Sequence, residues 1–134
     1  MTPPADAITI TFRQPAPLLN MNSREHWAPK GRKVAAWRST ACNYARFWLR
    51  CRKLGPSFVM LTIDVPDKRR RDPANLYATV KPVVDGLVDA GLWPDDTPEH
   101  VTTIEPVLRT APSIRGIGRA PLFVTIHIWP RGEQ

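Results

Sequence analysis

The sequence predicts a small α+β domain, with a mixed sheet and two main helices in the order β-α-β-α-β-β. Three observations lead to this prediction. Stretches in which apolar and polar residues alternate are typical of strands, and two longer stretches with apolar residues at three- and four-residue steps are typical of helices. The chain has 134 residues, which suits one hydrophobic core. We therefore expect a single domain that spans residues 1–134.

The first half of the chain predicts a strand, a helix and a second strand. "AITITFR" (7–13) alternates apolar and polar residues, as a half-buried strand does. Residues 32–53 predict a long helix, which Gly55-Pro56 would end. Its predicted apolar stripe consists of Val34, Trp37, Ala41, Tyr44, Trp48 and Cys51. "FVMLTIDVP" (58–66) is apolar on both faces, which predicts a central strand.

The second half predicts another helix and two strands. The helix should begin near Asp72, a good N-cap, with Pro73 at its first position. Its predicted buried stripe is Leu76, Val80, Val83, Val84 and Leu87. Pro82 removes a backbone hydrogen bond, so we expect a kink near Ala78 or two short helices. "VTTIEPVLRT" and "LFVTIHIW" predict a final strand pair, joined by a basic, mobile loop, "APSIRGIGRAP".

Composition excludes several classes of protein. No apolar run approaches the roughly 20 residues that cross a bilayer, so we expect no membrane association. The N-terminus lacks the pattern of a secretory signal, and we expect a cytoplasmic protein. The two cysteines, Cys42 and Cys51, are predicted to be free thiols. There is no Gly-rich phosphate loop and no CxxC pair, so no small-molecule cofactor is expected.

Charge is distributed unevenly along the chain. The net charge is +7, which indicates a polyanionic partner such as nucleic acid. Residues 24–71 contain thirteen bases and three acids, whereas residues 72–105 contain seven acids and one base, Lys81. A basic block suits a phosphate backbone and an acidic block suits a metal ion. An enzyme that acts on nucleic acid needs both.

The boundary between the two blocks is the stretch "PDKRRRDPANL" (66–76). Its four consecutive cations, Lys68, Arg69, Arg70 and Arg71, directly precede Asp72. Arginine binds phosphate through its planar fork, so these cations are candidates for holding a DNA backbone. A solvated surface is the alternative for such a run.

Three carboxylates flank the second predicted helix. Asp72 lies at its start, and Asp95 and Asp96 follow its end. Hard oxygen ligands of this kind suit Mg²⁺, which takes one or two carboxylates together with water and phosphate oxygens. The alternative is that Asp72 is only a helix cap and that the pair only forms a turn. Lys81 is either a surface partner of Asp85 or a cation that stabilises charge on a phosphate.

The composite stretch "VPDKRRRDPANL…VKPVVDGLVDAGLWPDD" resembles the RusA family of Holliday-junction resolvases. That family has an arginine-rich run, an Asp-x-Asp-Asn helix start, a helix that ends in Ala-Gly, and a trailing Asp-Asp. The resemblance covers residues 58–101. "PAPLLNMNSREHW" is similar to the family's Pro/Asn-rich loop after the first strand.

The resemblance implies a Mg²⁺-dependent endonuclease, with Mn²⁺ as the alternative ion, that acts as a homodimer on four-way DNA junctions. By this resemblance Asp72 takes the position of the first catalytic Asp and Asp96 that of the last, with Asp95 beside it. Lys81 takes the position of the helix lysine. Asn75 matches the motif's Asn and is a candidate metal ligand. The predicted DNA-binding residues, beyond the run at 68–71, are Arg32, Lys33, Arg115 and Arg119.

The chain departs from the family's pattern in two ways. Ala74 stands where the motif has its second Asp. The stretch between Asp72 and Asp96 is also a few residues longer than in the founding member. Asn75, Asp85 or Asp64 would each be able to fill the vacant ligand position. Two other functions stay open: a junction-binding protein without nuclease activity, and a broader nuclease for flaps or forks.

Overall fold

The computed structural model of the protein describes residues 1–22, 24, 26–50, 52–114 and 118–132, with the backbone alone at 113–114 and 118–119. The elements in chain order are β1 (Ile8–Arg13), α1 (Trp27–Leu49), β2 (Ser57–Val65), a 3₁₀ turn (Pro73–Leu76), α2 (Tyr77–Asp89), β3 (Val101–Thr103), β4 (Val107–Thr110), β5 (Ser113–Ile114), β6 (Gly118–Arg119) and β7 (Phe123–Pro130). The architecture is a small α+β domain with two helices and a mixed sheet, as the sequence predicts.

The main sheet has five strands, with β7 between β1 and β2. β7 is antiparallel to both of these neighbours. The other edge of β2 pairs in parallel with β3 along its first half and with β4 along its second half. The prediction of a central, buried β2 is therefore confirmed, because this strand has partners on both sides and is buried along most of its length.

The prediction of a final strand pair is wrong. The stretch from 101 to 110 forms β3 and β4, which lie on the opposite side of β2 from β7. The α2 crossover returns the chain to the start of β2, so the next strands run parallel to it. Pro106 has no amide hydrogen and separates the two short strands. Within the following loop, β5 and β6 form a short antiparallel pair.

Helix α1 begins five residues before the predicted start and ends four residues before the predicted end. The side chain of His26 accepts from the Ala28 amide and caps its first turn. Arg50 has a left-handed backbone (φ 48°) and ends it. Cys51 lies outside the described residues, and Cys42 is a buried free thiol.

The buried face of α1 differs from the predicted stripe. Trp37 and Ala41 are buried as predicted, together with Cys42 and Ala45. Tyr44 and Trp48 are exposed instead. The predicted stripe repeats every 3.5 residues, and such a stripe drifts around a straight helix of 3.6 residues per turn. The contact face therefore leaves the stripe as the helix continues.

The second helical region begins as predicted, with Asp72 as the N-cap and Pro73 at the first position. The five residues of its predicted stripe are all buried. It has two segments, because the 3₁₀ turn changes to α-helix between Leu76 and Tyr77. This change lies next to Ala78, and α2 continues through Pro82 to Asp89.

Both helices pack on the same face of the sheet. The core contains the inward residues of β1, β2 and β7, such as Ile10, Leu61 and Ile126, together with Trp37 of α1 and Val83 of α2. In the described part of the chain, no helix is both long and apolar enough to cross a membrane.

Candidate functional site

The arginine-rich run and Asp72 line a cleft of about 530 Å³. Three segments form it. The loop after β1 contributes Gln14 and Asn20, the run contributes its three arginines, and the 3₁₀ turn with its cap contributes Asp72 and Asn75. The resemblance motif and the Pro/Asn-rich loop, which are about fifty residues apart in the sequence, thus share one concave surface.

Hydrogen bonds hold the loop after β1 against the second helical region. The buried hydroxyl of Thr79 accepts from the Leu19 amide and donates to the Leu19 carbonyl, each at 2.8 Å. The Met21 amide donates to the Asn75 carbonyl at 2.9 Å. Asn20 is fixed between these two anchors. Sequence reasoning did not select Asn20 or Thr79, although a threonine that falls on the apolar side of a helix is a signal of such an anchor.

Asp72 is exposed and caps the 3₁₀ turn. Its Oδ1 accepts from the Ala74 amide at 3.0 Å, while Pro73 fixes the first position of the turn. A carboxylate has about four lone-pair sites, so one capping bond leaves it able to bind a cation. The predicted cap and the predicted ligand are therefore compatible roles for the same side chain.

The arginine-rich run is folded around Asp67. The carboxylate of Asp67 accepts from the Arg69 amide at 2.9 Å and pairs with Arg71 at 3.0 Å. The Arg69 amide, followed by the Arg71 side chain, lowers the pKa of Asp67. Arg71 also donates to the carbonyls of Asp67 and Arg69. Arg71 thus orders the loop, whereas Lys68, Arg69 and Arg70 are exposed.

Lys81 lies between two carboxylates. Its Nζ donates to Oδ1 of Asp85 at 2.9 Å and also to Oδ2 of Asp96. The hydrogen bond that Lys81 donates to Asp96, and then the one that it donates to Asp85, raise the pKa of Lys81. The same contact with Lys81 lowers the pKa of Asp96. Lys81 and Asp96, two predicted catalytic residues, are therefore in direct contact.

The turn after α2 brings Asp96 back beside the helix. Gly91 has a positive φ (89°), a conformation that glycine adopts without strain. Leu92 and Trp93 are buried, and the indole of Trp93 donates to the Gly55 carbonyl at 3.0 Å. Asp95 accepts from the Asp96 amide at 2.7 Å and so helps to form the turn.

The acids at the two ends of the second helical region remain in different surroundings. Asp72 lies in the cleft, and Asp96 contacts Lys81. Among the described residues, no three His, Cys, Asp or Glu side chains form a group that could hold a metal ion. Asp72 and Asn75 nevertheless provide a carboxylate and an amide oxygen in one cleft. This donor set meets the small requirement of Mg²⁺ for protein oxygens.

The three candidates for the position vacated at Ala74 lie in three different places. Asn75 lines the cleft with Asp72. Asp85 pairs with Lys81. Asp64 is buried, accepts from Arg109 through both oxygens at 2.8 and 3.0 Å, and accepts from the Phe123 amide at 3.0 Å. Asp64 thus joins β2 to β4 and β7.

Among the other predicted DNA-binding residues, neither Arg32 nor Lys33 lines the cleft. Arg32 is exposed on α1, and Lys33 beside it is half-buried. Arg115 lies outside the described residues. Arg119 lies in β6, where only the backbone is described.

A comparison with protein-family models gives no match, and a comparison with curated proteins gives none either.

Proposed function

We propose that this protein is a metal-dependent endodeoxyribonuclease of the RusA type, which resolves four-way DNA junctions by paired, symmetric nicks. The observation that carries the proposal is the cleft that joins exposed arginines to a carboxylate. Arg69, Arg70 and Asp72 line the same concave surface. A phosphodiester held by the arginines would thus lie beside an acid able to hold a metal ion.

Charge supports DNA as the substrate. The net charge is +7, and the exposed part of the run consists of Lys68, Arg69 and Arg70. Guanidinium groups bind phosphate oxygens in pairs, which positions a backbone without reading its sequence. Binding of this kind releases counterions, so the affinity should fall steeply with added salt.

Asp72 and Asn75 are the residues that would hold a Mg²⁺ or Mn²⁺ ion, with Asp96 and Asp95 as further candidates. The chemistry that such an ion supplies is Lewis-acid activation of water for in-line attack on the phosphodiester. Lys81 carries its charge next to Asp96, and the contacts with Asp96 and Asp85 raise its pKa and so favour the charged form further. In this position it would stabilise negative charge on a phosphate.

A four-way junction has near two-fold symmetry. Two matched nicks in it therefore require two active sites that are related by the same two-fold symmetry. A homodimer with two-fold symmetry supplies them. A protein with this substrate would have to reach DNA inside the cell, so a cytoplasmic location is part of the proposal.

One specific observation favours a second candidate, a junction-binding protein without nuclease activity. Ala74 removes one carboxylate of the family's motif, and the described residues contain no group of three potential ligands. Such a protein would use the same arginines. A broader nuclease for flaps or forks would use the same cleft and differs only in the shape of the DNA that it accepts.

The first experiment compares Asp72→Asn and Asp96→Asn with the wild-type protein. Each protein is incubated with a labelled four-way junction and Mg²⁺ or Mn²⁺, and the nicks are mapped on a sequencing gel. We expect each variant to lose cleavage by roughly a hundredfold or more, because a ligand or a catalytic group is lost. Junction binding in EDTA, measured by gel shift, should persist or tighten because a negative charge is removed.

Asp6→Asn is the matched control, since Asp6 is an exposed acid that lies outside the cleft. It should cut as the wild type does. Wild-type protein that shifts the junction but never nicks it would establish the binding protein instead. Cleavage retained in both Asp72→Asn and Asp96→Asn would remove the catalytic assignment. Flap and fork substrates in the same assay distinguish the broader nuclease.

A further inference from the structure

Two large aromatic rings are exposed next to each other at the end of α1. Phe47 and Trp48 have 66% and 62% of their surface exposed, and their rings meet edge to face with centroids 5.1 Å apart. Tyr44, one turn earlier, stacks on Phe12 of the core at 5.2 Å. The helix is thus fixed to the core by Tyr44, while Phe47 and Trp48 face solvent. Two adjacent rings that stay in water do not gain the hydrophobic free energy that their burial would provide. An exposed apolar patch of this kind indicates an interaction site.

The chain that follows these rings is basic. Arg50, Arg52 and Lys53 are exposed, and the sequence has no acid between Glu25 and Asp64. A cation near the end of a helix complements the helix dipole, but this effect is confined to the last turn. Arg46 already lies in that turn and donates to the Asp89 carbonyl. The dipole therefore does not account for Arg52 and Lys53, which lie beyond the helix.

The charge of this surface decides which partner suits it. A second copy of the chain would bring a protein of net charge +7 against a cationic surface. A polyanion is complementary to it. Exposed rings among cations are the combination that binds single-stranded nucleic acid, because every unpaired base offers a flat face for stacking while the cations hold the backbone. In a duplex those faces are occupied by neighbouring base pairs.

We propose that Phe47 and Trp48, with Arg50, Arg52 and Lys53, form a binding site for unpaired nucleotides of single-stranded DNA. We call this surface the stacking site. It depends on the proposed function only in taking DNA as the polyanion, and it needs no metal ion.

The stacking site is distinct from the cleft. The loop before α1 contacts the 3₁₀ turn of the cleft through Met21 and Asn75. The stacking site lies at the other end of α1, and at 1.5 Å per residue the helix is about 34 Å long. A strand bound there would be held well away from the scissile phosphate. This arrangement favours DNA that has an unpaired arm as well as a duplex or a branch.

The test measures binding of a fluorescein-labelled oligothymidylate in EDTA by fluorescence anisotropy. Trp48→Leu and Phe47→Leu should each weaken binding roughly tenfold, since stacking on a base is lost while an apolar side chain remains. Trp48→Phe keeps a ring and should stay within about threefold of the wild type. Trp27→Leu is the matched control, because Trp27 is an exposed tryptophan at the opposite end of the same helix. It should bind as the wild type does.

Wild-type affinity in Trp48→Leu and Phe47→Leu would overturn the inference. It would also be overturned if these variants changed the dimer–monomer equilibrium, measured by sedimentation, and left oligonucleotide binding unchanged, because the rings would then contact a protein. A wild-type protein that cuts no junction would contradict the proposed nuclease activity but would leave the stacking site unaffected. Thermal unfolding of each variant verifies that these exposed substitutions leave the fold intact.

Discussion

Lys81 is the residue whose surroundings are most informative. A single ammonium group lies between Asp85 and Asp96, and this is the kind of position that a small cation occupies. The depressed pKa of Asp96 follows first from its hydrogen bond with Lys81. The stabilisation that Asp96 contributes is therefore present above its unfolded pKa, about 3.9, and is lost as the pH falls through the lower folded pKa. Both side chains are partly exposed, so solvent screening keeps this contribution below about 1 kcal/mol.

We expect Lys81→Met to raise the pKa of Asp96, because the largest cause of its depression is removed and Asp85 then repels the ionised form. The measurement is an NMR titration of the Asp side-chain carboxyls from about pH 2 to about pH 7, which spans the reference pKa of about 3.9. Lys53→Met, which removes a cation elsewhere on the surface, should leave the titration of Asp96 unchanged. An unaltered Asp96 titration in Lys81→Met would show that the ion pair does not persist in solution.

At the scale of elements, the two helices approach each other closely at Gly86. A Cβ atom built on Gly86 would lie 2.3 Å from the Arg38 carbonyl and 3.0 Å from the Ala41 Cβ. Atoms cannot come so close, so the two helix backbones would have to separate. The bidentate ion pair between Arg38 and Asp89 spans the same interface and lowers the pKa of Asp89.

Gly86→Ala should therefore lower the free energy of unfolding by about 1–3 kcal/mol, the usual cost of overpacking. The measurement is urea unfolding followed by circular dichroism. The matched control is Gly31→Ala, since Gly31 also lies in a helix but has open space around its Cβ position. That change should stabilise the protein by about 0.5–1 kcal/mol. A Gly86→Ala variant as stable as Gly31→Ala would contradict the close helix packing.

For the molecule as a whole, Asp64 joins three strands of the sheet close to the cleft. It is buried on β2 and binds Arg109 of β4 and the Phe123 amide of β7. The contact with Asp64 raises the pKa of Arg109. Gln14, which lines the cleft, donates to the Asp64 carbonyl at 2.8 Å. This cluster thus holds the end of the sheet that supports the cleft.

We expect Asp64→Asn to lower the free energy of unfolding by about 1–3 kcal/mol, because charge-assisted hydrogen bonds of a buried group are weakened. Asp85→Asn is the control and should cost less than about 1 kcal/mol, since its partner Lys81 is exposed. Both are measured by urea unfolding. If Asp64→Asn abolished junction cleavage while the protein stayed fully stable, Asp64 would be a metal ligand rather than a structural link.

Local sequence patterns predicted most of the helices and strands. They failed where contacts between distant parts of the chain determine the structure. The stripe on α2 is defined by Leu76, Val80, Val83, Val84 and Leu87, which are neighbours in the sequence, and the structure buries all five. The stripe on α1 was displaced because a repeat of 3.5 residues drifts around the helix. The partners of β3 and β4 depend on the crossover made by α2, which no local pattern reveals.

The same distinction applies to the candidate site. The arginines at 69–71 and Asp72 are consecutive, so their common location followed from the sequence. Asp96 depends on the path of the turn that buries Leu92 and Trp93, and no local pattern shows that this turn sets it beside Lys81. Trp48 was assigned to the core from its spacing, and its exposure became apparent only from the packing of α1.

The position of β7 has a consequence for how the protein is made. This strand is the last of the main sheet in the chain and lies between β1 and β2. On the ribosome, β1 and β2 must therefore wait for residues 123–130 to leave the exit tunnel before the sheet can close. Contacts between such distant segments slow folding and leave strand edges open during synthesis. The unpaired edges of β1 and β2 are accordingly open to aggregation until β7 emerges.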